Sequence, residues 1–129
     1  MNNPELCSGR MLAESASLRL AEQAMAASAG IAASRLRAAR RGCLPVARAR
    51  QRAMYLAHVA FGLSLTRVGL GFGRDRTTVR HACALVEDMR DDPREDFGLG
   101  VLETALVAAR QGHRRAVSEI GVAAGEPNR

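Results

Sequence analysis

The stretch GRDRTTVRHA, residues 73–82, decides the fold class of this chain. It contains three arginines, an aspartate, two threonines and a histidine, and its only apolar residues are Val79 and Ala82. Such a segment can be a solvated helix surface, a phosphate-binding turn or a helix that reads DNA. The residues on either side of the stretch show which of these three interpretations applies.

An amphipathic helix begins inside this stretch. Asp75 is a residue type that commonly caps a helix N-terminus, which places Arg76 in the first helical turn. The dipeptide Asp91-Asp92 followed by Pro93 ends the helix, because the residue before proline avoids helical backbone angles. Four residues recur at the spacing of one buried helix face: Val79, Ala82, Cys83 and Val86. The sequence therefore predicts a helix over residues 75–90 with a polar, basic start.

A second short helix is predicted directly upstream. Ser64 can cap a helix over residues 65–72, and Gly73 ends it. Two short helices joined by a tight glycine turn, the second polar and basic at its start, are typical of a helix-turn-helix. In that motif the second helix lies in the major groove, and its first residues reach base edges. The side chains suited to base contacts are Asp75, Arg76, Thr77 and Arg80.

The rest of the chain also predicts helices. Apolar periodicity and punctuation by glycine and proline indicate helices at 11–29, 34–39, 46–61 and 93–112. No strand pattern with a period of two appears, so we predict a compact all-α fold of five to six helices. We expect a flexible N-terminus at 1–10, a DNA-binding domain at 11–112 and a C-terminal tail at 113–129.

Positive charge is concentrated in one part of the chain. All 19 basic residues are arginine, and the formal net charge is +6. Residues 35–81 contain eleven arginines and a single acid, whereas residues 82–96 contain six acids and two arginines. A concentrated basic block in a small domain indicates a polyanionic partner. We expect four of these arginines to contact DNA phosphates: Arg48, Arg50, Arg52 and Arg67.

Other classes of function have little support in the sequence. The three cysteines are odd in number and widely spaced, so they indicate neither a metal site nor a disulfide framework. The N-terminus lacks a signal-peptide pattern, and the apolar run at 99–109 is too short to span a bilayer. No nucleophile, base and orienting acid are grouped. We therefore expect a cytoplasmic, nucleoid-associated protein with no enzymatic activity, no cofactor and no metal.

Several stretches resemble the C-terminal DNA-binding domain, domain IV, of the bacterial replication initiator DnaA. The resemblance is carried by 47-ARARQRAMYLA-57, by 63-LSLTRVGLGFGRDRTTVRHAC-83 and, more weakly, by 94-REDF-97. It covers roughly residues 18–110, and the order and spacing of the motifs are kept throughout. A helix-turn-helix fold related to Trp repressor and specific binding of double-stranded DNA are what this resemblance implies.

The resemblance also implies roles for single residues. Asp75, Arg76 and Thr77 stand where the family makes its major-groove base contacts. Arg50 aligns with a family position near the DNA backbone. Three further residues stand at or beside phosphate-contacting positions of the family: Arg74, Thr78 and His81.

Four departures from the family pattern concern the target site. Gly42 falls where the family places an arginine into the minor groove, and the adjacent Arg40 and Arg41 are candidates to replace it. Arg76 replaces a histidine, which should change the preferred bases. Ala49 replaces a proline. Gly73 stands alone where the family usually has two glycines, which predicts a shorter turn.

The chain contains no G-x-x-x-x-G-K-[ST] phosphate loop, so we expect a stand-alone transcriptional regulator rather than a replication initiator. The alternative is an adaptor, in which a drifted domain binds RNA polymerase or another regulator through helix 93–112 and the acidic residues at 87–92. The arginine block and the polar face of residues 74–81 argue against the adaptor. No zipper pattern indicates an oligomeric state.

Overall fold

The chain is described by a computed structural model that covers residues 4–38 and 43–125. Every element in these ranges is a helix, which confirms the all-α prediction. No helix in the described part of the chain is long and apolar enough to cross a membrane. The six helices are α1 (Pro4–Ala29), α2 (Ala33–Leu36), α3 (Leu44–Phe61), α4 (Leu65–Phe72), α5 (Arg76–Met89) and α6 (Pro93–Gly125).

The helix bounds agree with the sequence in the middle of the chain and differ at both ends. α1 begins at Pro4, inside the expected flexible N-terminus, and α6 continues to Gly125, through most of the expected tail. The predicted end of α6 at Gly112 was wrong because a glycine inside a helix costs only about 1 kcal/mol. α2 is shorter than the predicted helix at 34–39, and Ala32 occupies its N-cap without a side-chain hydrogen bond.

α3 is the central helix, and it contacts each of the other five. Ala49, Ala53 and Ala57 are at most 1% exposed, and Leu56 between them is fully buried. The separation of two packed helices depends on the side chains at their contact, so these alanines let neighbouring helices approach closely. The interior of the domain is therefore arranged around α3.

A buried carboxylate connects the first two helices with α4. Glu22 on α1 is 1% exposed and pairs with Arg19 at 2.9 Å and with Arg37 at 2.8 Å. Arg19 also donates to the Gly71 carbonyl at 2.6 Å and lies over the Phe72 ring, 5.5 Å from its centroid. Because a buried charge is tolerated only when it is paired and hydrogen-bonded, this network fixes α1 against α4.

The turn between α4 and α5 consists of residues 73–75. Gly73 has a φ of 65°, in the left-handed region that favours glycine, and it ends α4. The Arg74 amide donates to the Gly69 carbonyl at 2.9 Å. A Cβ on Gly69 would overlap with the carbonyl oxygen of Arg74. α4 therefore lies so close to the turn that only glycine fits at position 69.

Gly69→Ala should destabilise the domain by about 1–3 kcal/mol, the usual cost of overpacking, because the obstructing atom belongs to the backbone. Chemical denaturation gives the free energy of unfolding. Gly112→Ala is the matched control: a Cβ there meets open space, and the helix should gain roughly 0.5–1 kcal/mol. Equal effects of the two substitutions would contradict the close approach at Gly69.

Candidate nucleic-acid interface

The start of α5 is held by a side-chain cap. The backbone of Asp75 is extended, and its Oδ1 accepts the Thr78 amide at 2.7 Å. α4 begins in the same way, with the Ser64 hydroxyl accepting the Arg67 amide at 3.1 Å. Both predicted N-caps are confirmed. The two short helices therefore start at defined residues and form a helix-turn-helix.

The two faces of α5 differ in burial. Val79 and Val86 are fully buried and Ala82 is 2% exposed, which confirms the predicted buried face, with Cys83 at its edge. The side chains at the start of the opposite face are all exposed: Asp75, Arg76, Thr77, Thr78, Arg80 and His81. The packing of α5 thus presents its first two turns to solvent as one polar surface, which we call the α5 start surface.

Arg76 and Arg80 are the two cations of the α5 start surface. Neither makes an ion pair or a side-chain hydrogen bond with any residue in the described ranges 4–38 and 43–125. An arginine guanidinium carries five N–H donors in a rigid fork that matches the two acceptors on guanine. These two side chains therefore have the exposure and the donor capacity that a base contact requires.

Asp75 contributes a fixed negative charge beside these arginines. The hydrogen bond from the Thr78 amide is the main reason why the pKa of Asp75 lies below its usual value. The carboxylate is therefore ionised at neutral pH. One oxygen accepts the capping bond, and a carboxylate has further lone pairs that can accept from a base amine.

Two of the arginines assigned to phosphate are exposed. Arg48 lies near the start of α3 and makes no ion pair with a residue that the structure describes. Arg67 on α4 has a side chain that is 44% exposed, and its Nε lies 3.3 Å from a Glu14 carboxylate oxygen. An exposed ion pair of this kind is weak, so Arg67 can exchange it for a phosphate.

Three other arginines assigned to phosphate make contacts within the domain: Arg50, Arg52 and Arg74. Their assignment to phosphate stays a prediction. Arg50 is 6% exposed, and its Nε donates to the Leu36 carbonyl at 2.7 Å. Burial, and then the nearby charge of Arg74, lower the pKa of Arg50. The charge count along the sequence could not show this, because it does not distinguish arginines that bind backbone carbonyls from those that face solvent.

Arg52 and Arg74 also join separate parts of the fold. Arg52 pairs with Glu95 at 3.1 Å and links α3 to α6, with its side chain 18% exposed. Arg74 donates to the Ala38 carbonyl at 2.8 Å and thereby links the turn before α5 to the segment that follows α2. Arg40 and Arg41, the minor-groove candidates, lie outside the described residues, and their assignment stays a prediction.

A network that the sequence did not reveal holds the far end of α5. The Tyr55 hydroxyl donates to Glu87 at 2.8 Å and accepts from Arg90 at 3.0 Å. Burial is the main cause that raises the pKa of Tyr55. Arg90 also donates to Asp96 at 2.6 Å, so the acids of residues 87–96 are partly structural. The sequence held one indication of this network, a single tyrosine on an apolar helix, because a buried hydroxyl needs a hydrogen-bond partner.

The sequence from α1 to α5 matches a known family. Residues 21–86, just over half of the chain, match the model of the bacterial DnaA protein helix-turn-helix. The chain belongs to this family, which confirms the resemblance seen in the sequence. Membership identifies the helix-turn-helix as a DNA-binding domain, with double-stranded DNA as its partner. The match ends within α5, so α6 lies outside it.

Arg50→Ala and Arg48→Ala should differ in their effect on the stability of the domain. Arg50→Ala leaves the buried Leu36 carbonyl without its donor, so the free energy of unfolding should fall by about 1–3 kcal/mol. Arg48→Ala should change stability by less than about 0.5 kcal/mol, because its side chain is exposed. Denaturant unfolding of both variants measures the difference, and equal stability of the two would contradict a structural role for Arg50.

The cap at Asp75 should make stability depend on pH. A carboxylate with a lowered pKa in the folded state adds stability above its unfolded pKa of about 3.9. That contribution is lost as pH falls through the lowered folded value. Asp75→Asn retains a capping side chain without the titrating charge. Thermal melts between about pH 5 and 2 should therefore show a shallower loss of stability in Asp75→Asn than in the parent chain, and parallel curves would exclude this contribution.

Proposed function

We propose that the chain is a sequence-specific transcriptional regulator that reads double-stranded DNA with α5. The observation that carries the proposal is the α5 start surface, where a capped helix presents two exposed arginines without described intramolecular partners. Binding, not catalysis, is the activity of this surface. A regulator of this kind acts by occupying a promoter through one helix-turn-helix.

Recognition of bases rests on the first two turns of α5. Arg76 lies in the first turn and Arg80 one turn later, so both guanidiniums lie on the same side of the helix. Each can donate bidentately to guanine, and Thr77 can contact a thymine methyl. Asp75 accepts from a cytosine amine and, by like-charge repulsion, disfavours acceptor-rich edges near it. The preferred site should therefore differ from that of relatives with histidine at the Arg76 position.

Recognition of the DNA backbone uses a smaller set of groups than the charge of the basic block implied. Arg48 and Arg67 supply exposed charges on α3 and α4, and Thr78 and His81 lie on the exposed face of α5. Arg50, Arg52 and Arg74 act indirectly, since they hold α2, α3, α6 and the turn in their relative positions. Phosphate contacts set orientation and salt dependence, whereas base contacts set specificity.

Selection from a random duplex library, repeated at low and moderate salt, tests the proposal and supplies the target. Arg76→Ala should then weaken the selected site by roughly 5- to 150-fold, which corresponds to about 1–3 kcal/mol, and should leave random DNA nearly unchanged. Arg48→Ala should weaken both DNAs alike and reduce the salt slope by about 1.

Arg94→Ala is the matched control, because Arg94 is exposed at the start of α6, beyond the end of α5 that lies away from Arg76. It should leave both affinities unchanged. Equal losses for Arg76→Ala and Arg48→Ala on both DNAs would refute the division between base and phosphate contacts. Absence of any selected motif at moderate salt would refute sequence-specific recognition itself.

A further inference from the structure

The outward side of α6 is an exposed apolar surface. Phe97 is 74% exposed and Val101 is 52% exposed, although both are large apolar residues. Between Phe97 and Ala109 the only charged residue is Glu103, which faces Arg90 at 3.7 Å. The smaller members of the surface are also exposed, and one of them, Thr104, is polar but uncharged: Gly98, Thr104, Ala105, Ala108 and Ala109. We call this set the α6 outer face; contiguous exposed apolar surface of this kind marks an interaction site.

Beyond Arg110, which donates to the Phe61 carbonyl at 3.0 Å, α6 lies at the surface of the domain. From Gln111 to Ile120, every side chain that the structure describes is exposed, and Ile120 itself is 69% exposed. Helices gain most of their stability in proteins from packing of one face against a neighbour. A partner that packs on α6 would therefore stabilise the helix.

We propose that the partner is a second copy of this chain, with the two α6 helices packed antiparallel through their outer faces. A two-fold axis near residue 103 places Phe97 of one protomer opposite Ala109 of its partner. It places Val101 opposite Ala105. Phe97 and Val101 each thus meet a small side chain, so that the two helices can approach without a clash between large residues.

Two charges that lie beyond the ends of the α6 outer face along the chain favour the same register. Asp91 stands just before α6 and Arg115 lies near its exposed end; neither makes an ion pair with a described residue. The two-fold axis near residue 103 brings Asp91 of one protomer opposite Arg115 of the other, twice in the dimer. A parallel arrangement would instead oppose like charges, which is unfavourable.

The proposed dimer leaves the DNA-binding surface accessible. α5 has 14 residues, so its start lies about 20 Å from its end at Met89, and α6 begins only after that end. The α5 start surface of each protomer therefore remains exposed. The dimer proposal does not depend on the proposed function, so either proposal can be wrong while the other holds.

Analytical ultracentrifugation of the whole chain without DNA, over a range of concentrations, tests the dimer. We expect a reversible monomer–dimer equilibrium. Phe97→Asp should raise the dimer Kd by about 30-fold or more, the change expected for a central interface residue. Leu12→Asp is the matched control. Leu12 on α1 is 70% exposed, close to the exposure of Phe97, and its substitution should not affect the dimer. Circular dichroism confirms that both variants fold.

A charge exchange tests the antiparallel register. Asp91→Arg and Arg115→Asp should each weaken the dimer at low ionic strength, where surface charges are least screened. The double variant should restore the Kd to within about threefold of the parent, because it re-creates both pairs with their signs reversed. A chain that stays monomeric at all concentrations, a dimer that survives Phe97→Asp, or a double variant that is weaker than both single variants would each overturn the proposal.

Discussion

The packing of the other five helices against α3 is the constraint on which the rest of the fold depends. A helix that contacts five neighbours must be narrow where they approach it, and alanine meets this condition at positions 49, 53 and 57. The polar groups that α3 does bury must find partners within the protein. Arg50 and Tyr55 do so, through the Leu36 carbonyl and the Glu87 carboxylate. The central helix therefore determines where α2 and α5 lie.

Arginine has two distinct uses in this domain. One group donates to carbonyls or carboxylates of other elements: Arg19, Arg50, Arg52, Arg74, Arg90 and Arg110. The other group, which includes Arg48, Arg76 and Arg80, is exposed. Because a guanidinium has several donors in a fixed plane, it can satisfy two or three acceptors where helices meet. The formal charge of the basic block therefore overstates the number of guanidinium groups that face solvent.

The helix-turn-helix combines a rigid frame with an exposed reading surface. Asp75 and Gly73 fix the turn, and the Tyr55–Glu87–Arg90 network fixes the opposite end of α5. The buried face of α5 sets its rotation about its own axis. Because both ends and one face are held, the exposed first turns keep a defined position relative to Arg48 and Arg67. A surface held in this way needs little reorganisation when it binds, which favours specific recognition.

The sequence by itself determined the features that local interactions control. The N-caps at Ser64 and Asp75, the end of α4 at Gly73 and the buried face of α5 each depend on residues within a few positions of one another. The family motifs lie in this same region, so the order of residues along the chain was sufficient to identify the DNA-binding domain.

Only the tertiary structure decided which arginines contact other elements and which side of α6 stays exposed. Arg50 binds a carbonyl 14 residues away, Arg74 one that is 36 residues away and Arg52 an acid 43 residues away. No local pattern encodes such pairs, because they depend on how the helices pack around α3. The same packing leaves the outer face of α6 uncovered, and a stretch of mixed large and small apolar residues can serve as an interface only because the fold leaves it exposed.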